Sequence, residues 1–221
     1  MGLTGGIASG KSTLSRHLSG LGARVVDADE LARKITEAGS PTLKDIRACF
    51  GSIVFTENGE PDRSAMARIV FKEPSARRRL EMIVHPLVQA RAAAYIAEQD
   101  KISTEKKKIV VFDAALLVET RAYRQMDMVV VVTAPENDRI ARLAARDGLS
   151  ADEARLRIAA QADEKQKIAF ADEIIENSHG FDQLEKQAFK VWKKILSIAA
   201  KRQKEHKIMK GGKNRRNPGD D

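Results

Sequence analysis

Short apolar runs recur along the chain between segments of helical periodicity. Arg24-Val25-Val26-Asp27, Ile109-Val110-Val111-Phe112-Asp113, Met128 to Thr133 and Ile174-Ile175 are continuous rather than alternating, as expected of strands covered on both faces of a parallel sheet. Met1 to Thr4 reads as the end of a further strand, and Lys11 to Leu21 as a helix with Leu14, Leu18 and Leu21 on one face. Strands alternating with helices predict an α/β layered fold. Ligands of such folds bind beyond the carboxyl ends of the strands. Asp27 and Asp113, which end two of the runs, are therefore expected beside the ligand.

From about Leu31 to Gln99 the pattern is helical with no strand signal. Ser40-Pro41 reads as a cap followed by proline at the first helical position, and Asp62 as the cap of another helix after the Asn58-Gly59 turn. Pro74 opens a third helix, which His85-Pro86 is expected to kink or restart. An insertion of this size suits an acceptor substrate or a purely structural cap. Lys106-Lys107-Lys108 reads as a solvated loop. After Pro135 a helix carries Arg139, Arg142 and Arg146 on one face beside Ile140 and Leu143; Gly148 ends it, and Ser150 to Glu153 is a capping box that begins the next. The arginine face is either ordinary solvated surface or a lid over about residues 136–165 that closes on a nucleotide.

At 221 residues the chain is long enough for one large domain. The net charge of +8 first suggests nucleic acid, but its distribution weakens that idea. Five of the eight net charges fall on residues 201–221, with eight Lys/Arg against three Asp/Glu, and three on the other 200 residues. That tail has almost no apolar residues and is expected to be a basic disordered segment. A nucleic-acid partner is disfavoured. The single cysteine, Cys49, reads as a small apolar core residue and fits a reducing compartment. No secretory apolar core, transmembrane run or transit-like leader is visible, so the expected location is cytoplasmic, with no membrane partner.

The chemistry lies in Gly5-Gly6-Ile7-Ala8-Ser9-Gly10-Lys11-Ser12, which fits G-x-x-x-x-G-K-[ST] between an expected strand and an expected helix. In such a loop the glycines let the backbone wrap closely around phosphates. Lys11 reaches the outer phosphates, and the Ser12 hydroxyl ligates Mg²⁺. A dinucleotide site is disfavoured because no G-x-G-x-x-G spacing is present, and a GTPase switch because no N-K-x-D tetrad is.

The sequence resembles the dephospho-coenzyme A kinase family. The resemblance runs through Leu3 to Thr13, Val26 to Arg33, Gly39-Ser40-Pro41, His85-Pro86-Leu87 and Leu116 to Glu119. It continues through Arg142-Leu143, Arg146 to Ser150, Arg157-Ile158, Ala160-Gln161 and Ala171-Asp172 to Asn177, covering roughly the first 180 residues. It implies a P-loop kinase with a parallel sheet core, a helical acceptor-binding insertion (about 31–99) and a lid (about 136–165), all within residues 1–200. It further implies transfer of the ATP γ-phosphoryl group to the 3′-hydroxyl of dephospho-coenzyme A, the last step of coenzyme A biosynthesis. Ala8, Ser9, Gly10, Lys11, Ser12 and Thr13 would hold ATP·Mg²⁺, and Arg142 and Arg146 would approach the migrating phosphoryl group. Asp29 matches the family's acidic catalytic residue and is expected to be the base or orienter, whereas Asp27, three residues before Glu30, is expected to have a structural role, such as capping the next helix, or a water-mediated Mg²⁺ role. Asp113 is either a second metal-site aspartate or a plain strand end. Arg33 and His85 are candidates for the acceptor site; a solvated arginine and a capping histidine would look the same.

Two departures stand out. Met1-Gly2-Leu3 leaves a stub for a central strand, so adding β-branched residues before Met1 is expected to raise thermal stability. Ala115 stands where the family often has proline, which is expected to loosen the loop. The closest rival reading is another small-acceptor kinase of the same fold, acting on a nucleoside monophosphate or shikimate.

Overall fold

In the computed structural model, strands β1 (Gly2–Gly5), β2 (Arg24–Asp27), β3 (Val110–Asp113), β4 (Val129–Thr133) and β5 (Glu173–Glu176) form one parallel sheet in the order β2-β3-β1-β4-β5. The structure describes residues 1–102, 109–159, 161, 164–178 and 181–213. The Lys106-Lys107-Lys108 loop and residues 214–221 of the expected tail lie outside them.

The continuous apolar runs are strands buried from both sides. Along β4, Val130 and Val132 join Leu3, Val111, Ile175, Leu14 and Leu18 of α1 (Lys11–Gly20) and Leu184, Val191 and Ile195 of α9 (Phe181–Lys213) in one core. Val129 and Val131 face the other way, onto Ala28 of α2 (Ala28–Ile35) and Val84 and Val88 of α5 (Pro74–Ile102). Every residue of β4 is buried, so polar replacement anywhere along it would strand a polar group. Strand β1 is central, as expected, and as long as β2, β3 and β5; Met1 before it is buried, and its amine donates to the Val110 carbonyl at 2.9 Å.

Between β2 and β3 the chain is helical, with α2, α3 (Thr42–Phe50), α4 (Arg63–Lys72) and α5. A small core of Ile46, Val54 and Phe55 ties α3 and the following 3₁₀ turn (Ser52–Val54) to Met66, Ile69 and Leu80. Asp62 caps α4 as expected, its carboxylate accepting from the Ala65 N–H at 2.9 Å. Asp62→Ala should therefore cost about 1 kcal/mol, or about 2–4 °C in Tm. A thermal melt checks this; an unchanged Tm would remove the cap from the account.

Two expectations need correction. Of the kink or fresh start expected at His85-Pro86, the fresh start does not occur, since α5 runs as one element through Pro86. Proline removes the donor for the Met82 carbonyl and crowds it, and packing of α5 on α2, α3 and α4 holds the helix through that turn. The basic segment from Lys201 also begins differently, because α9 continues as helix to Lys213. Lys, Arg, Gln and Glu lengthen an existing helix at little cost, and Arg202 pairs with Asp127 beside the sheet.

After β4 come α6 (Glu136–Asp147), α7 (Ala151–Ala159) and α8 (Glu164–Ile168). Gly148 ends α6 in the left-handed region at φ +68°. Ser150 and Glu153 exchange capping-box bonds, the Ser150 N–H to Glu153 Oε2 at 2.9 Å and the Glu153 N–H to Ser150 Oγ at 3.3 Å.

Candidate active site

The loop from Gly5 to Gly10 joins β1 to the amino end of α1, and its shape follows from two backbone positions. Gly10 sits at φ +102°, where a side chain would strain the backbone and strike the Asn177 amide; Ala8 adopts φ +59°. The loop's carbonyls are occupied from outside. Arg139 Nε donates to Ile7 O at 2.9 Å, Arg142 Nη1 to Ala8 O at 3.1 Å and Ser9 O at 3.3 Å, and Asn177 Nδ2 to Ser9 O at 2.8 Å. With its carbonyls so engaged, the loop offers amides and the amino end of α1 to an anion.

Lys11 Nζ lies between two carboxylates, pairing with Asp113 Oδ1 and, at 3.4 Å, with Asp29 Oδ2. Burial works against the ammonium, but Asp113 and Asp29 more than offset it, so the Lys11 pKa stands above its ordinary value. Asp113 is 3 % exposed; burial pushes its carboxyl upward, against the pull of Lys11 and a hydrogen bond from Ser15. The site thus keeps a charged lysine in place before any ligand enters.

Two cavities open at this end of the sheet. One, of about 650 Å³, is lined by the phosphate loop through Thr13, together with Ala115, Arg142, Arg146 and Gln161. The other, of about 430 Å³, lies between α2, α5 and the segment after β3, and is lined by Arg33, Arg63, Val84, His85, Phe112 and Leu116 among others. Asp29 lines both. Its position follows from local sequence: Asp27 caps α2 by accepting from the Glu30 N–H at 2.9 Å, which places Asp29 in the first turn. A carboxylate there is favoured by the helix dipole. The Ala115 N–H donates to its Oδ2 at 3.3 Å. A proline at 115 has no such N–H, so the substitution adds a donor to Asp29 besides removing a rigid φ.

The donor atoms suit Mg²⁺ in chemistry. The Ser12 hydroxyl on the first turn of α1 and the carboxylates of Asp27, Asp29 and Asp113 are all hard oxygen ligands. Among the described residues no group of three or more His, Cys, Asp or Glu forms a protein-only metal cage.

Of the residues expected from the sequence, Ala8 to Thr13, Asp29, Arg142 and Arg146 meet at one cavity, and Arg33 and His85 at the other. Burial holds His85 below the ordinary histidine pKa, favouring the neutral ring. The arginine face divides. Arg139 is 6 % exposed and Arg142 is bonded to the loop, so neither is plain solvated surface; Arg146 is largely exposed and pairs with Asp147 at 2.8 Å. Sequence reasoning placed Arg139 only on the shared arginine face, and gave no role to the Gln161 amide that accepts from the Ile7 N–H at 2.6 Å or to Lys167. Arg139 had a signal, the i, i+3 spacing to Arg142; Lys167 had none.

The family model for dephospho-CoA kinase matches residues 1–183. The chain is 40 % identical over 195 residues to the dephospho-CoA kinase of Thermobifida fusca, covering 88 % of this chain and 95 % of that protein. Among solved structures it is similar to the Thermus thermophilus protein TT1252, with TM-score 0.74, 32 % identity, and 86 % and 93 % of the two chains covered. It is likewise similar to the dephospho-CoA kinase of Campylobacter jejuni, with TM-score 0.60, 28 % identity, and 91 % and 97 % covered.

Proposed function

The chain belongs to the dephospho-CoA kinase family, and we propose from that premise a division of labour among its residues. The protein phosphorylates dephospho-CoA in the last step of coenzyme A biosynthesis, with ATP as co-substrate. One observation supports the assignment of roles: Asp29 stands on the shared wall of the two cavities. A group that must touch the acceptor hydroxyl and the transferring phosphorus belongs at that boundary.

ATP occupies the larger cavity, its phosphates held by the loop amides from Ala8 to Thr13 and by Lys11. Ser12 would hold Mg²⁺, which would supply charge neutralisation at the phosphates. Dephospho-CoA enters the smaller cavity, where Arg33 and His85 contact it. Its ribose 3′-hydroxyl reaches Asp29, which orients the oxygen and accepts its proton as the bond to the γ-phosphorus forms and the bond to ADP breaks. Little covalent help is needed, so placement and charge carry the rate. Arg142 and Arg146 neutralise charge that grows on the transferring group, and α6–α7 excludes water as a lid. The helical region from 31 to 99 serves as the acceptor subdomain. A cytoplasmic location belongs to the same proposal.

The test is a coupled ADP-release assay over a panel of acceptors. Dephospho-CoA should give the highest kcat/KM. A higher value for shikimate or a nucleoside monophosphate would overturn the acceptor assignment. In the same assay, EDTA should abolish turnover and Mg²⁺ restore it; turnover that survives chelation would exclude the Ser12 metal role.

A further inference from the structure

Lys167 on α8 is only 1 % exposed, the one buried lysine among the described residues. A buried lysine is rare and its desolvation is costly, so its partners carry the information. Nζ donates to the Ala115 carbonyl at 2.5 Å and pairs with Glu119 Oε1 at 3.1 Å. Both partners belong to the segment that follows β3. The same Ala115 carbonyl accepts from the Thr4 hydroxyl at 3.1 Å, while the Ala115 N–H donates to Asp29 Oδ2 at 3.3 Å. Ala114, Leu116, Thr120 and Ala122 of this segment line the smaller cavity, and Ala115 lines the larger. Both Glu119 carboxylate oxygens are buried with no hydrogen bond, so the ion pair with Lys167 is what compensates the carboxylate's charge.

We propose that Lys167 is a positioning residue for the reaction: its buried ammonium clamps the 115–119 segment and so fixes both the acceptor wall and the Asp29 carboxylate. This rests on the assignment of Asp29 to the acceptor hydroxyl. Lys167 itself lines neither cavity, so it acts through Ala115 and Glu119. The Ala115 peptide is the link. Its carbonyl is held by the lysine and its N–H holds the aspartate, so a tilt of that peptide moves the base against the hydroxyl.

The experiment compares wild type, Lys167→Met and Lys167→Arg by steady-state kinetics well below each Tm, and by hydrogen exchange. Lys167→Met should lower kcat by about tenfold to a hundredfold, the range expected of sub-ångström misplacement. It should raise the KM for dephospho-CoA and leave the KM for ATP within about twofold, because the phosphate loop is anchored by Arg139, Arg142 and Asn177 instead. Amide exchange at Ala115 should accelerate while Val130 in β4 stays protected. Lys167→Arg, which keeps charge and donors, should recover most of the loss. If Lys167→Met does not fold, Lys167→Met/Glu119→Gln removes both buried charges together and should give the same pattern. An unchanged acceptor KM and kcat, equal effects on both substrates, or loss of folding in both variants would overturn the proposal. A wild type that ignores dephospho-CoA would instead refute the acceptor assignment, and the Ala115 exchange result would still decide whether the clamp exists.

Discussion

Lys11→Ala is expected to lower kcat by about 10³-fold, with the loss visible in both ATP-dependent turnover and ADP release. The ammonium is held between Asp113 and Asp29 before ligand arrives, so it requires no reorganisation when phosphates enter. A preorganised charge of this kind is worth most in a site from which water is excluded. The same substitution has a second consequence, for stability. Asp113 is buried, and without Lys11 it keeps only the Ser15 hydroxyl as a side-chain donor among the interactions described. Lys11→Ala should therefore cost about 1–3 kcal/mol. Lys11→Ala/Asp113→Asn separates the two effects, because removing both charges should restore most of the Tm and none of the activity. Recovery of turnover in the double variant would mean that Lys11 serves only to neutralise Asp113. Retention of wild-type kcat in the single variant would remove lysine from the mechanism.

That coupling shows where sequence reasoning ends. Strand positions were legible because β4 reads Val-Val-Val-Val between polar segments, and only a strand covered on both faces tolerates that run. The caps at Asp27, Asp62 and Ser150 were legible because capping is local, acting over three residues. The phosphate loop was legible as a motif, since its chemistry is contained in eight consecutive residues. The pairing of Lys11 with Asp113 spans 102 residues and depends on β1 lying beside β3, which no local pattern encodes. Likewise, Arg142 was expected to approach the migrating phosphoryl group, with no local pattern to tie it to the loop carbonyls. Its bonds to Ala8 and Ser9 exist because α6 starts beside the loop at the end of β4. Lys167 was invisible for the opposite reason: a lysine in Glu-Lys-Gln-Lys looks like solvated surface, and only its tertiary partners make it a buried clamp.

Asp29→Asn should lower kcat by about 10²- to 10⁴-fold while moving the KM for either substrate by no more than a few-fold. Asparagine keeps the size of the side chain and can still accept the Ala115 N–H, so the cavity wall stays in place. What disappears is the negative charge and the capacity to take the hydroxyl proton. The control is Asp27→Asn, two residues away at the cap. Asparagine caps a helix about as well as aspartate, so that variant should keep its Tm and most of its kcat. The pair of results tests the preference for Asp29 over its neighbouring carboxylate. A larger kcat loss in Asp27→Asn than in Asp29→Asn would transfer the base role to the strand end. Equal and small losses in both would leave proton removal to water and reduce the contribution of Asp29 to orientation. Pre-steady-state mixing refines the reading, because a chemical step slowed by loss of the base eliminates any burst of ADP formation, whereas impaired product release preserves it.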